Sequence, residues 1–325
     1  MTTYKGINGF GIQYLDSDPA TPNIGEVWYN NTSKALKGTT AGGAAAGTWS
    51  SGGNLNVAVA NSGGAGTQSA ALNFGGVPNV TTSESYDGTS WTETNDLNTG
   101  RSELAGSGLQ TAAITTGGYT GSPSGVTNTE EYNGTSWTAG GALGTGRRRP
   151  GIAGNSSAAI AFAGNNGSYL NNAENYDGSS WTDAPTLNTA RSGVGSAGTA
   201  TAALCISGQT PPVTVNVEEW NGSSWTEINN VNRARDAGGS GGTVTTALFF
   251  GGEPSGENTE YFDGTSWSEV ANLATDRYQI AKGNVGTAEL GICIGGTGPA
   301  GPNPVLTATE EWVLPEYVTK TFTVS

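Results

Sequence analysis

Eight arginines, 27 carboxylates and no histidine make up the reactive inventory of this 325-residue chain. Arg101, Arg147, Arg191, Arg235 and Arg277 each stand ten residues after a tryptophan, and Arg148, Arg149 and Arg233 lie beside them. A guanidinium offers a planar fork of donors suited to carboxylate or phosphate. Gathered on one face of a chain with formal net charge −14, the eight are candidate ligand residues for an anion such as an acidic glycan or a lipopolysaccharide phosphate. A second ladder competes with that reading. Glu84, Glu130, Glu174, Glu218, Glu260 and Glu310 each precede an aromatic residue by two. Repeated Arg and repeated Glu most simply satisfy each other, so the in-register arginines read first as braces. Arg148, Arg149 and Arg233 break the pattern and are the better contact candidates.

The missing histidine removes copper-oxidase ligands, the usual His-containing zinc sites and Ser-His-Asp triads. A carboxylate pair for glycoside hydrolysis has material, but no spacing singles out two residues. Calcium held by Asp and carbonyl oxygens is a weaker option. Cys205 and Cys293 sit in apolar runs and read as buried free thiols. The expectation is a non-enzyme without metal or cofactor. So acidic a chain repels nucleic acid. No run approaches the ~20 apolar residues of a membrane span, and no apolar core follows Met1-Thr2-Thr3-Tyr4-Lys5 as a secretory signal would require.

What must position these groups is a repeat. Tyr86-Asp87-Gly88-Thr89-Ser90-Trp91 recurs, with small changes, to Trp137, Trp181, Trp225 and Trp267, at intervals of 42 to 46 residues. Asp-Gly or Asn-Gly between two strand-like runs predicts a tight hairpin with positive φ at both turn residues. Upstream in each unit, an apolar run such as Ala158-Ala159-Ile160-Ala161-Phe162 suits a strand buried on both faces. That run ends in a glycine pair whose second member is Gly76, Gly118, Gly164, Gly208, Gly252 or Gly296. Ala163 and Ser207 replace the first member, which predicts different turns in those two copies.

Trp49 fits the same frame, since Gly76 follows it by 27 residues, as Gly118 follows Trp91. Its own unit lies at the other end, in Thr309-Glu310-Glu311-Trp312. The N-terminal strand therefore completes the last unit and closes a ring, leaving no open sheet edge. The expected fold is all-β: a six-bladed propeller of four-stranded blades over 46–313, closed by that strand and preceded by a short extension. Trp49, Trp91, Trp137, Trp181, Trp225 and Trp267 read as packing between blades rather than as sugar platforms. The Asp-Gly-x-x-Trp phrase is one residue too short for a sialidase Asp box.

The glycine pair, the Glu-x-Tyr segment, the Trp and the following Arg together resemble the kelch motif, which implies a β-propeller whose ligands meet loop-lined faces. Phrases such as Asn133-Gly134-Thr135-Ser136-Trp137-Thr138 and Leu187-Asn188-Thr189-Ala190-Arg191 resemble tail-fibre and appendage proteins of marine bacteriophages. So does Pro22-Asn23-Ile24-Gly25-Glu26-Val27-Trp28-Tyr29-Asn30-Asn31-Thr32-Ser33. That resemblance implies a virion structural protein of a tail or surface appendage. Residues 1–45 would be its attachment segment to other virion proteins, and a propeller face would meet a host-surface glycan, with a homo-oligomer possible. A scaffold or decoration protein without a receptor is the alternative, and a glycan-cleaving enzyme trails both. Within the leader, residues 25–29 and 35–37 could pair as a hairpin. The C-terminal tail, 314–325, alternates in β fashion and leaves open whether it joins the last blade or another chain.

Overall fold

The computed structural model describes residues 12–18, 27–39, 47–299, 304–314 and 319–322. The chain divides into two compact units, residues 47–313 and residues 1–46 with 314–325. The larger unit is an all-β, six-bladed kelch-like propeller.

Blade one shows how the sequence makes a blade. Gly63–Thr67 lies innermost, followed outward by Ala70–Phe74, Ser83–Tyr86 and Trp91–Thr94, all antiparallel. Blades beginning at Ala105, Gly151, Gly195 and Gly239 repeat that order. Inner strands are built of small residues because they crowd the axis: a side chain on Gly63 would run into the Phe74 ring. Second strands are apolar on both faces because a blade presses on each side, and Ala71, Leu72 and Phe74 are wholly buried.

Tyr86 pairs directly with Trp91, so the outer hairpin loop is four residues long rather than the two that Asp-Gly suggests. Asp87 Oδ1 accepts the amides of Thr89 at 2.9 Å and Ser90 at 2.8 Å, while Gly88 supplies the positive φ of 90°. Asn133, Asp177, Asn221 and Asp263 make the same pair of bonds, which is why either Asp or Asn serves. The expectation for the glycine pair also needs correction. Ala163 at φ 58° and Ser207 at 54° adopt the left-handed backbone of Gly75 at 65°, so those turns keep the common geometry. The Ser207 hydroxyl meets the Arg235 carbonyl at 2.6 Å.

The outer-strand tryptophans pack between blades. Trp137 meets the Phe74 ring at 4.8 Å between centroids, Trp225 meets Phe162 at 4.9 Å, and Trp49 meets Phe250 at 5.0 Å. Their N–H groups reach the first residue of the third strand in the preceding blade. Trp49 donates to Thr259, Trp91 to Thr309, Trp137 to Ser83 and Trp181 to Thr129, at 2.9 to 3.2 Å. In the two remaining blades that place holds Ala173 or Val217, packed in the same clusters as Trp225 and Trp267, and both of those indoles lack an acceptor.

Blade six departs from the four-stranded expectation. Its sheet has three strands, Leu290–Ile294, Thr309–Val313 and Thr48–Ser51, with Trp49 opposite Trp312 at the closure. Residues 281–286 take the inner place but join Leu290–Ile294 only at their ends, through Ala281 N to Ile294 O and Gly286 against Gly291. Between those points the segment bows into the axis. Lys282 O accepts Gly64 N at 2.9 Å and Gly106 N at 3.1 Å, from blades one and two. Asn284 reaches the Gly198 carbonyl of blade four at 2.9 Å. Gly283, at φ 136°, permits the bow, since any Cβ there would collide with the Gly106 carbonyl.

In the smaller unit Val27–Asn30 pairs in parallel with Gln13–Leu15 and antiparallel with Ala35–Thr39, forming the hairpin. Trp28 is fully buried and donates to Asp18 at 3.0 Å. The Lys37 ammonium, 2.6 Å from Asp18, is the main cause holding that carboxyl at about 2. Thr319–Phe322 pairs with Ala35–Thr39, so the C-terminal strand belongs with the N-terminal segment and not to the last blade or another chain. Lys5, Pro19 and Pro22 of the expected attachment segment lie outside the described residues.

Val217→Thr should give the Trp267 indole the hydroxyl its counterparts have and raise stability by about 0.5–1.5 kcal/mol in urea unfolding. Thr309→Val, which strips the acceptor from Trp91, should lower it by about 1–3 kcal/mol. Destabilisation by Val217→Thr would show that the orphan indole is not what that position lacks. In the turns, donation from the Ser180 amide, then from the Ser179 hydroxyl and amide, holds Asp177 at about 2. The depressed folded value means its contribution is complete above the free carboxylate range near ~4 and is lost as pH falls towards 2. Carboxyl NMR titration reads this directly.

Candidate functional site

Each in-register arginine follows the outer strand of one blade and reaches the glutamate on the third strand of the next. Arg147 pairs with Glu174 at 2.5 Å, Arg191 with Glu218 at 2.7 Å and Arg235 with Glu260 at 3.1 Å. Arg101 with Glu130 and Arg277 with Glu310 complete the set. The same glutamates cap the loop that delivers the arginine, as Glu130 does for the Asn98 amide at 2.7 Å. All five guanidinium groups are fully buried. Burial pushes Arg235 down to about 10 against the opposing pull of Glu260. These five therefore do not form a cationic ring around the mouth. Their charge is used between blades.

The junction between blades six and one lacks this clasp because Val59 stands in the arginine's place. Glu84 there accepts the Asn56 amide and side chain, both at 2.8 Å, and the Val57 amide at 3.1 Å. The remaining arginines stay near the surface. Arg233 pairs with Glu269 at 2.6 Å, and both are half exposed. Arg148 lies over the Tyr119 ring and 3.8 Å from Glu103.

What the loops do build is a ring on the axis. Two residues past each arginine, or past Val59, the backbone is left-handed: Asn61, Glu103, Arg149, Gly193, Ala237 and Gln279 have φ between 52° and 67°. Each amide donates to the carbonyl of the preceding member, and Asn61 donates to Gln279, so six hydrogen bonds of 2.6 to 3.0 Å close a circle. No residue type recurs in it, which hides it from a search for repeats.

Two ring members, Arg149 and Gln279, also line a cavity of ≈ 380 Å³ with Gln209, Asp236 and Glu253, walled by Val213 and Pro254. Arg149 donates to Asp236 at 2.6 Å and to Gln209 at 3.3 Å. One guanidinium faces two carboxylates, so this mouth does not favour an anion. Of the eight candidate arginines, only Arg149 reaches it.

Lys282 lies on the bowed inner segment, 1% exposed, and its Nζ has no hydrogen-bond partner. Burial, then the neighbouring Arg149, lowers its pKa to about 7, against Asp236 and Glu103. The signal was a lone lysine in Ile280-Ala281-Lys282-Gly283, a stretch otherwise fit for an inner strand. Cys205 and Cys293 are buried, and desolvation raises them to about 11 and about 12, which makes both thiols inert near neutral pH. No group of three or more His, Cys, Asp or Glu able to hold a metal occurs among the described residues.

Glu218→Gln strands the Arg191 charge in a dry junction and should cost about 3–5 kcal/mol. Glu84→Gln strands no cation and should cost about 1 kcal/mol, the scale of one weakened hydrogen bond. Urea unfolding of the two variants compares them; equal losses would mean the guanidinium pairing adds nothing to the amide caps.

No protein-family model and no curated protein matches the chain. Among solved structures, that of YjhT superposes with a TM-score of 0.69 over 83% of this chain and 99% of its own, at 13% identity. The likeness is one of fold: a propeller.

Proposed function

We propose that the chain is a non-enzymatic structural protein of a bacteriophage virion, a tail-fibre or appendage component whose axial mouth contacts a host-surface glycan. The virion assignment rests on the phrase resemblance of the repeats and leader. The glycan contact rests on one observation, the mixed lining of the mouth. Asp236 and Glu253 accept, Gln209 and Gln279 offer amides, and Arg149 donates between them. A sugar hydroxyl both donates and accepts, so it satisfies such a lining better than phosphate or carboxylate would. The preferred ligand is therefore a neutral or amino-bearing saccharide, not the acidic one that arginine counting suggests.

Two features favour a binder over a glycosidase. Asp236 already binds the Arg149 guanidinium through one oxygen, and Glu253 is exposed, so the pair lacks the shielded acid that glycoside hydrolysis needs. The competing scaffold reading draws on the consumption of five arginines as braces. The smaller unit, residues 1–46 with 314–325, would carry attachment to other virion proteins.

Binding of the labelled full chain to host cells and to neutral and acidic host polysaccharides tests this. Gln209→Ala and Glu253→Ala should each weaken binding about three- to thirtyfold, the size of one or two polar contacts, with unchanged melting temperature. Cell binding that ignores both substitutions would move the contact away from the mouth. No binding to cells or polysaccharide would leave the scaffold reading in place, and release of reducing sugar would establish an enzyme.

A further inference from the structure

Three buried polar atoms near the axis have no hydrogen-bond partner, and their chemistry is complementary: Lys282 Nζ, Asn61 Oδ1 and Glu103 Oε2, the last 3.8 Å from Arg148 Nε. Native interiors rarely leave such atoms unmatched. Backbone bonds bring the three residues together. Lys282 N donates to the carbonyl of Ser62, next to Asn61, at 2.9 Å, and Glu103 N donates to the Asn61 carbonyl at 2.8 Å. Gly63 and Lys282 bridge in parallel, and Asn61 stands two residues before Gly63. Two residues span at most about 7 Å of chain, a distance that a long lysine side chain covers.

A buried amine and a buried carboxamide with a partly exposed carboxylate beside them are the reactants and the proton shuttle for amide exchange. We propose that Lys282 and Asn61 form an intramolecular isopeptide bond, with Glu103 moving the protons. The uncharged Lys282 amine attacks Asn61 Cγ, and its lone pair becomes the new C–N bond. The C=O electrons move to Oδ1. The Glu103 side chain takes the proton shed by the attacking nitrogen and passes it to Nδ2. When the tetrahedral centre collapses, the electrons on Oδ1 re-form the C=O and Nδ2 leaves as ammonia. The products are one secondary amide and one ammonia, with no oxidant or other reactant.

Two properties of the site suit this chemistry. Burial lowers the Lys282 pKa to about 7, so much of the amine is uncharged and nucleophilic at neutral pH. Burial also keeps water from competing for the intermediate. The bond would tie the first member of the axial ring to the bowed segment of blade six. It would span the one blade junction without an Arg–Glu clasp, joining residues 61 and 282 covalently.

Intact mass spectrometry of the purified full chain decides the matter without any variant. The proposal expects a mass about 17 Da below that of the sequence, from loss of ammonia. Proteolysis should yield a branched peptide joining the segment containing Asn61 to the one containing Lys282. Lys282→Arg and Glu103→Gln chains should each show the full mass. A wild-type chain at full mass overturns the proposal. So does a loss that survives Lys282→Arg, which would mark cyclisation of an asparagine on its own backbone. A loss that survives Glu103→Gln while the branched peptide persists would remove Glu103 from the shuttle.

Discussion

The buried Arg–Glu pair between blades is the interaction on which the rest of this propeller hangs. A guanidinium removed from water costs several kcal/mol unless every partner is in place. Among the five, Arg147 meets this in full, with Glu174 taking one nitrogen and the Ala163 and Asn172 carbonyls another, while the other four each leave a nitrogen without a hydrogen bond. These acceptors lie on the next blade, so the charge is tolerated at only one blade register. The pair is poor evidence for stability, since an apolar replacement of equal volume could do as well. What it supplies is a penalty for every other arrangement of blades whose strands are short and rich in glycine.

That fixed register makes the axial ring possible. Left-handed backbone at Glu103, Arg149 and Gln279 is unfavourable for residues with a Cβ. It persists because each such residue exchanges a hydrogen bond with both neighbours around the circle. The six bonds form only if all six blades contribute, so the ring couples junctions that otherwise touch only their neighbours. The bowed segment adds a second tie across the axis, with Lys282 O serving blades one and two together.

Fold and site were unequally visible in the chain. Tryptophan and glycine intervals determine blade number and the Trp49 closure because each marks a position where large area or positive φ is obligatory. Asp-Gly misled about loop length, since an Asx side chain can replace a backbone turn and carry two further residues. The bow of blade six was not legible. Gly283 is one glycine among 53, and only its closeness to the Gly106 carbonyl shows what it permits. The mouth was half legible: Arg149 stood out for breaking the pattern, whereas Gln209 and Glu253, each one past a repeat glycine, and Gln279, two past an arginine, hold repeat positions where no residue type recurs.

Function in such a ring has to sit where the repeat is broken. A side chain present in every blade meets the same junction in every blade, and the Arg–Glu clasps and Trp–Phe contacts show those junctions consumed by packing. The axis is where six copies converge on one place, so identical side chains there would collide or repel. Six arginines at the ring positions could not coexist, whereas Asn61, Glu103, Arg149, Gly193, Ala237 and Gln279 can. Divergence at the axis is thus required by geometry before any ligand is considered. It has the consequence that the mouth is a part of the propeller free to become chemically specific. Its near-balanced charge, inside a chain of net charge −14, is the departure from the bulk that a ligand would meet.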